Sequence, residues 1–165
     1  MLYFGYGSNM CTGRLQARVS SARPIGKRFL RGYRFRFNKR SIDQSAKGNV
    51  ERTSVATDLV WGVLFDFDAS QKHLLDQAEG LGQGYDELTA TVESEDGKRE
   101  NALLYVAAAS HLDNTRQPYS WYKRFVLEGA RQHSLPQDYI EFLDSFQART
   151  DPNHARDARE QAITC

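Results

Sequence analysis

The chain has 165 residues, 40% hydrophobic, 26% charged and 12% aromatic, the profile of a globular domain rather than a disordered chain. Its net charge of +1 offers no general attraction for a nucleic-acid backbone, and a chain this long buries roughly 68–70% of its extended surface with no need of a metal or disulfide staple. The two cysteines, Cys11 and Cys165, do not make a disulfide framework and read as reduced thiols of a cytoplasmic protein.

Leu2-Tyr3-Phe4 is too short an apolar stretch for a signal peptide or a membrane span. It reads as the core of a strand over Met1–Tyr6. Gly7-Ser8-Asn9 breaks that strand, and Ser8 or Asn9 is suited to cap a helix from about Met10 to Arg18. Gly32–Asn38 alternates, with Tyr33, Phe35 and Phe37 on one face and Arg34 and Arg36 on the other, the period of a half-buried strand. Arg28, Arg31, Arg34, Arg36, Lys39 and Arg40 are assigned to a solvated strand face rather than to a nucleic-acid patch. Leu59–Phe67 is a denser apolar run, a strand covered on both faces.

Asp68 and Gln71 form a capping-box pattern ahead of an apolar stripe, Leu74, Leu75 and Ala78; that helix should end near Glu79-Gly80. Tyr85–Ser94 and Arg99–Ala107 are expected to be a hairpin around Asp96-Gly97. A helix over Tyr119–His133 follows, Leu135-Pro136 breaks it, and a second helix carries Tyr139, Ile140 and Leu143. The expected architecture is α+β, a mixed sheet or small barrel with helices packed around it. Residues 1–148 form the domain and 149–165 a polar, frayed tail. His73, His111, His133 and His154 lack zinc-ligand spacing, so neither metal nor cofactor is expected.

Two features carry chemical content. The Phe4-Gly5-Tyr6-Gly7-Ser8-Asn9 segment combines glycines that let a backbone approach a ligand, a helix N-terminus beyond them, and polar side chains; its bland alternative is an ordinary strand-to-helix connection. Glu79 stands in the last turn of its helix, where the helix's partial negative charge disfavours an exposed carboxylate by about 0.3–1 kcal/mol. An acid placed against that penalty hints at a functional role, as a group that both takes and gives a proton. A solvated surface glutamate is the bland alternative.

These residues, taken together, resemble the γ-glutamylcyclotransferase family, the AIG2-like group. Leu2 through Met10 is similar to the family's opening signature, and Leu30-Arg31-Gly32-Tyr33 and Val60-Trp61-Gly62-Val63-Leu64 to its next strands. Leu75-Asp76-Gln77-Ala78-Glu79-Gly80 resembles the segment bearing the family's catalytic glutamate, with Gly84-Tyr85 after it. Tyr122-Lys123, Gly129-Ala130-Arg131 and Leu135-Pro136 with Tyr139 resemble its C-terminal helices. Residues 38–58 depart from it, being more polar than the family's Gly-Ala-Asn-rich stretch.

The resemblance implies a γ-glutamyl cyclotransferase-like fold and a small-molecule γ-glutamyl substrate cyclised to 5-oxoproline. Glu79 would be the acid/base, with Tyr3, Phe4, Gly5, Tyr6, Gly7, Ser8, Asn9, Tyr85 and Tyr122 around the substrate. Tyr122 has a second reading, as core of an amphipathic helix. The leaving group is left open between an amino acid, the dipeptide of glutathione and a specialised amine. So are two rivals: an enzyme for a γ-glutamyl amine or protected intermediate, and a non-catalytic γ-glutamyl-binding module. No nucleic-acid or membrane partner is expected, and a homodimer is left open.

Overall fold

A computed structural model describes residues 1–165. In chain order the elements are β1 (Leu2–Gly5), α1 (Thr12–Gln16), β2 (Arg23–Arg31), β3 (Tyr33–Arg40), β4 (Ala46–Arg52), β5 (Leu59–Asp66), α2 (Lys72–Glu79), β6 (Tyr85–Glu93), β7 (Arg99–Ala107), α3 (Ser120–Gln132), α4 (Gln137–Asp144) and α5 (His154–Gln161). Five strands close into a barrel in the order β1-β5-β2-β6-β7, joined at the seam by the parallel pairing of Tyr3 with Leu103. β3 and β4 form a separate antiparallel pair. The fold is therefore α+β, a small mixed barrel flanked by helices. No helix is long and apolar enough to cross a membrane.

Burial follows the apolar pattern where the period is clean. In β5, Val60, Val63, Leu64 and Phe65 are buried because the strand lies between β1 and β2. In β3, Phe35 and Phe37 are buried while Arg34 and Arg36 are exposed. Beyond Phe37 the pairing slips: Phe37 faces Gly48, but Lys39 faces Lys47. A bulge of this kind adds a residue and re-aims the side chains after it. Asn38 and Lys39 are both buried as a result, so Lys39 does not belong to the solvated face assigned to it. Arg28 is buried too, and its guanidinium meets Glu100 at 2.8 Å.

The opening helix also differs from expectation. Ser8–Met10 makes a single 3-10 turn, α1 begins only at Thr12, and neither Ser8 nor Asn9 caps a helix with its side chain. Ahead of α2, the Asp68 carboxylate accepts the Ser70 N–H at 2.9 Å. Gln71 does not complete a capping box, because its side-chain oxygen accepts from the Ser21 N–H and hydroxyl instead. Gly80 ends α2 at φ +70°, the left-handed conformation that glycine adopts without steric cost. β4 had no clear period in the sequence and is found only through its pairing with β3.

The C-terminal segment corrects two expectations. Rather than fraying, it forms α5 and packs against the domain. Asp151 is fully buried, accepting the Trp121 indole N–H at 2.9 Å and a guanidinium N–H of Arg156 at 2.7 Å. Arg14 reaches Glu160 at 2.9 Å, and Arg124 donates to the Glu160 and Ile163 carbonyls. Cys11 and Cys165, expected as free thiols, are joined in a disulfide. The segment is held by ion pairs, carbonyl contacts and one covalent link. An apolar period does not register anchors of that kind.

Candidate active site

The first residues of the chain and the end of α2 meet at a cleft lined by Tyr3, Tyr6, Gly7, Ser8, Asn9, Gly48, Glu79, Tyr85, Tyr105 and Tyr122. β1 delivers Tyr3, and the 3-10 turn after it swings Ser8 and Asn9 inward, where both are buried. The turn can sit this deep because α3 lies directly on it. A Cβ at Gly129 of α3 would come within 2.5 Å of the Met10 and Cys11 backbone, so only glycine permits the approach. That contact also brings Tyr122, two helical turns earlier on α3, against the turn. A Cβ at Gly7 would touch the Tyr122 hydroxyl at 3.4 Å.

Asn9 is the joint between the turn and the acid. Its amide nitrogen donates to Glu79 Oε1 at 2.8 Å and to the Tyr3 hydroxyl at 3.0 Å. Its amide oxygen accepts from Arg18 at 2.8 Å, and the same guanidinium nitrogen donates to Glu79 Oε1 at 3.0 Å. Every protein hydrogen bond to the Glu79 carboxylate thus falls on Oε1, and Oε2 accepts none. The side chain is 16% exposed. Glu79 is therefore not a surface glutamate; it is held on one oxygen and free on the other.

Five phenols surround this carboxylate. Tyr122 accepts the Gly48 N–H at 3.0 Å, and Tyr85 donates to the Gly48 carbonyl at 2.6 Å. Tyr6 donates to the Tyr105 carbonyl, and Tyr105 donates to Asp76 of α2 at 2.6 Å. Burial, as the largest cause, raises the pKa of Tyr3, Tyr6, Tyr85, Tyr105 and Tyr122 alike, and the negative charge of Glu79 adds to it. All five remain neutral O–H groups near pH 7. On the turn itself, the Tyr6 and Gly7 N–H groups donate to no protein acceptor. The cleft therefore offers unpaired backbone donors, neutral hydroxyls and one free carboxylate oxygen.

Of the residues singled out in the sequence, Tyr3, Tyr6, Gly7, Ser8, Asn9, Glu79, Tyr85 and Tyr122 are brought together here. Phe4 and Gly5 are not. Phe4 points to the opposite side of β1, fully buried in the core, and Gly5 packs against Asn9 and Phe65. Alternation along β1 sends Phe4 to the face opposite Tyr3, and Gly5 has no side chain to present to the cleft. Sequence reasoning missed Gly48, Tyr105 and Arg18. Tyr105 lies in an apolar strand where an aromatic reads as core, and Gly48 lies in the polar 38–58 segment. Arg18 gave no signal at all.

The model of the AIG2-like family matches residues 59–143, just over half of the chain and including Glu79, Tyr85, Tyr105 and Tyr122.

The chain belongs to the AIG2-like family.

This AIG2-like protein is 28% identical to human gamma-glutamylcyclotransferase over 156 residues, covering 88% of the chain and 78% of that protein. It is 27% identical to the mouse gamma-glutamylcyclotransferase, covering 98% and 87%. A solved structure of a gamma-glutamyl cyclotransferase superposes on it with a TM-score of 0.82 at 26% identity, covering 90% of this chain and 89% of that one.

Proposed function

We propose that this protein is a γ-glutamylcyclotransferase, releasing 5-oxoproline and a free amine from a γ-glutamyl amino acid or peptide, with Glu79 as the proton carrier. The observation that carries the reading is the Glu79 carboxylate, fixed through Oε1 by Asn9 and Arg18 with Oε2 left open in a cleft of neutral phenols. The named relatives support the reaction class.

In this reading the substrate's own α-amine attacks its γ-carbonyl carbon. The new C–N bond closes a five-membered lactam and the original γ-amide C–N bond breaks. The α-amine, whose ordinary pKa is about 7.7–8.0, is largely protonated near pH 7. The ammonium first loses one proton to solvent; Glu79 takes the second, released as the amine becomes the lactam nitrogen, and gives it to the departing amine, so the carboxylate returns to its starting state. Acid–base help of this kind is worth about 10²–10⁴ in rate. Holding amine and carbonyl in contact supplies more, through the entropy no longer lost at the transition state. The unpaired Tyr6 and Gly7 N–H groups suit either the α-carboxylate or the developing oxyanion. Tyr3, Ser8, Asn9, Tyr85 and Tyr122 form the walls.

The test is incubation with a panel of γ-glutamyl amino acids, with 5-oxoproline and free amine measured together. Glu79→Gln keeps shape and neutral hydrogen bonding, so it should bind the same compounds and form no lactam. Near-normal turnover by Glu79→Gln removes the role of Glu79. Binding without product by the unsubstituted chain makes the protein a sensor instead.

A further inference from the structure

Lys39 is a buried cation without a counter-ion. The residue is 8% exposed, yet its ammonium makes no ion pair and no hydrogen bond with the protein. Other buried cations are matched: Arg14 with Glu160 at 2.9 Å, Arg28 with Glu100 at 2.8 Å, and Lys47, largely buried, with Asp43 at 2.7 Å. A charge taken out of water is costly unless something pairs with it.

Its position is built rather than incidental. The bulge after Phe37 turns it inward, and its nitrogen lies 4.8 Å from the ring centre of Tyr85, a wall of the cleft. Space for it is kept by Gly84, where a Cβ would stand 2.9 Å from both Lys39 Cε and Nζ. Lys39 also lines an adjoining groove with about 630 Å³ of open space, together with Arg40, Ser41, Gln83, His111 and Arg116, and that groove contains no carboxylate. Burial lowers the pKa of the amine, opposed by the negative charges of Glu79 and Asp43.

We propose that Lys39 is a specificity-determining residue that binds the carboxylate of the leaving group, so that the substrates are γ-glutamyl amino acids or peptides rather than γ-glutamyl amines. The inference rests on the cyclotransferase reading. A leaving amino acid extends from the γ-amide toward the groove and carries its carboxylate one carbon from the departing nitrogen. A carboxylate there supplies the missing counter-charge, whereas a simple amine leaves the ammonium unpaired. A charge-assisted hydrogen bond of this kind sets a difference of roughly 10- to 100-fold in affinity.

The experiment compares γ-glutamyl-alanine with γ-glutamyl-ethylamide, which differ only by that carboxylate. The unsubstituted chain should favour the alanine compound in kcat/KM by roughly 10-fold or more. Lys39→Met should abolish most of that preference through KM, with Lys39→Gln as a second variant should the first not fold. A Lys39 that merely fills space would lower both substrates in the same proportion, and that result overturns the inference. So does an unsubstituted chain that uses the two equally well. If it turns over neither, the cyclotransferase reading falls and this inference with it.

Discussion

Asn9 and Glu79 lie 70 positions apart in the chain and are joined by a 2.8 Å hydrogen bond from the amide nitrogen to Oε1. The bond couples the opening turn to the end of α2. With Arg18 donating to both residues, it holds the carboxylate by Oε1 and leaves Oε2 without a protein partner.

Asn9→Ala removes that joint and leaves Arg18 and Tyr3 short of a partner. Leaving part-buried polar groups unsatisfied costs about 1–3 kcal/mol, which denaturant unfolding should register. The sharper readout is kinetic. Freed from Asn9, the Glu79 carboxylate can turn, so kcat should fall at least 10-fold, by the acid–base arithmetic above. A variant that loses stability and keeps kcat would make Asn9 a purely structural residue.

Tyr122→Phe tests a side chain that is both core and cleft. Its ring packs edge-on against Phe37 and Trp121, and phenylalanine preserves that. What is lost is the acceptor for the buried Gly48 N–H, together with a hydroxyl facing the substrate space. A modest stability loss of about 1 kcal/mol and a higher KM are expected together. Steady-state kinetics beside a thermal melt separates the two, and an unchanged KM assigns Tyr122 to the core alone.

The disulfide between Cys11 and Cys165 closes a separation of 154 residues, and links of that size typically add about 2–5 kcal/mol. A reducing agent should lower the thermal midpoint by several degrees. The Cys11→Ser/Cys165→Ser double variant should melt at the lower temperature with or without reductant. If reduction to free thiols leaves the midpoint unmoved, the ion pairs of α5 carry that anchorage by themselves.

Acid should weaken the same region. The hydrogen bond from Arg156 is the main cause holding Asp151 well below the usual carboxylate range. Burial alone would raise Asp43, but Lys47 and Ser45 bring it from 3.8 to about 2. A carboxyl group whose folded pKa is depressed contributes stability above its unfolded value and loses it as pH falls through the folded one. The melting temperature should therefore drop as pH falls from about 4 to 2. Asp151→Asn should melt lower at pH 7 and show a flatter dependence in acid; an equally steep fall would place the titrating groups elsewhere.

The sequence alone determined the elements whose period is local. The β3 alternation up to Phe37, the apolar run of β5, the Asp96-Gly97 hairpin and the Glu79-Gly80 helix end each depend on residues a few positions apart, and hydrophobic period and turn chemistry are readable at that range. The opening signature and the segment around Glu79 were legible in the same way, as short motifs. Tertiary structure decided what depends on distant partners. Only folding brings Asn9 and Arg18 onto Glu79, sets Tyr105 and Gly48 into the cleft, turns Lys39 inward through a bulge, and ties the polar C-terminal segment to Trp121, Arg14 and Cys11. These contacts are made by single side chains across long loops, and nothing in a local window registers which partner each will meet.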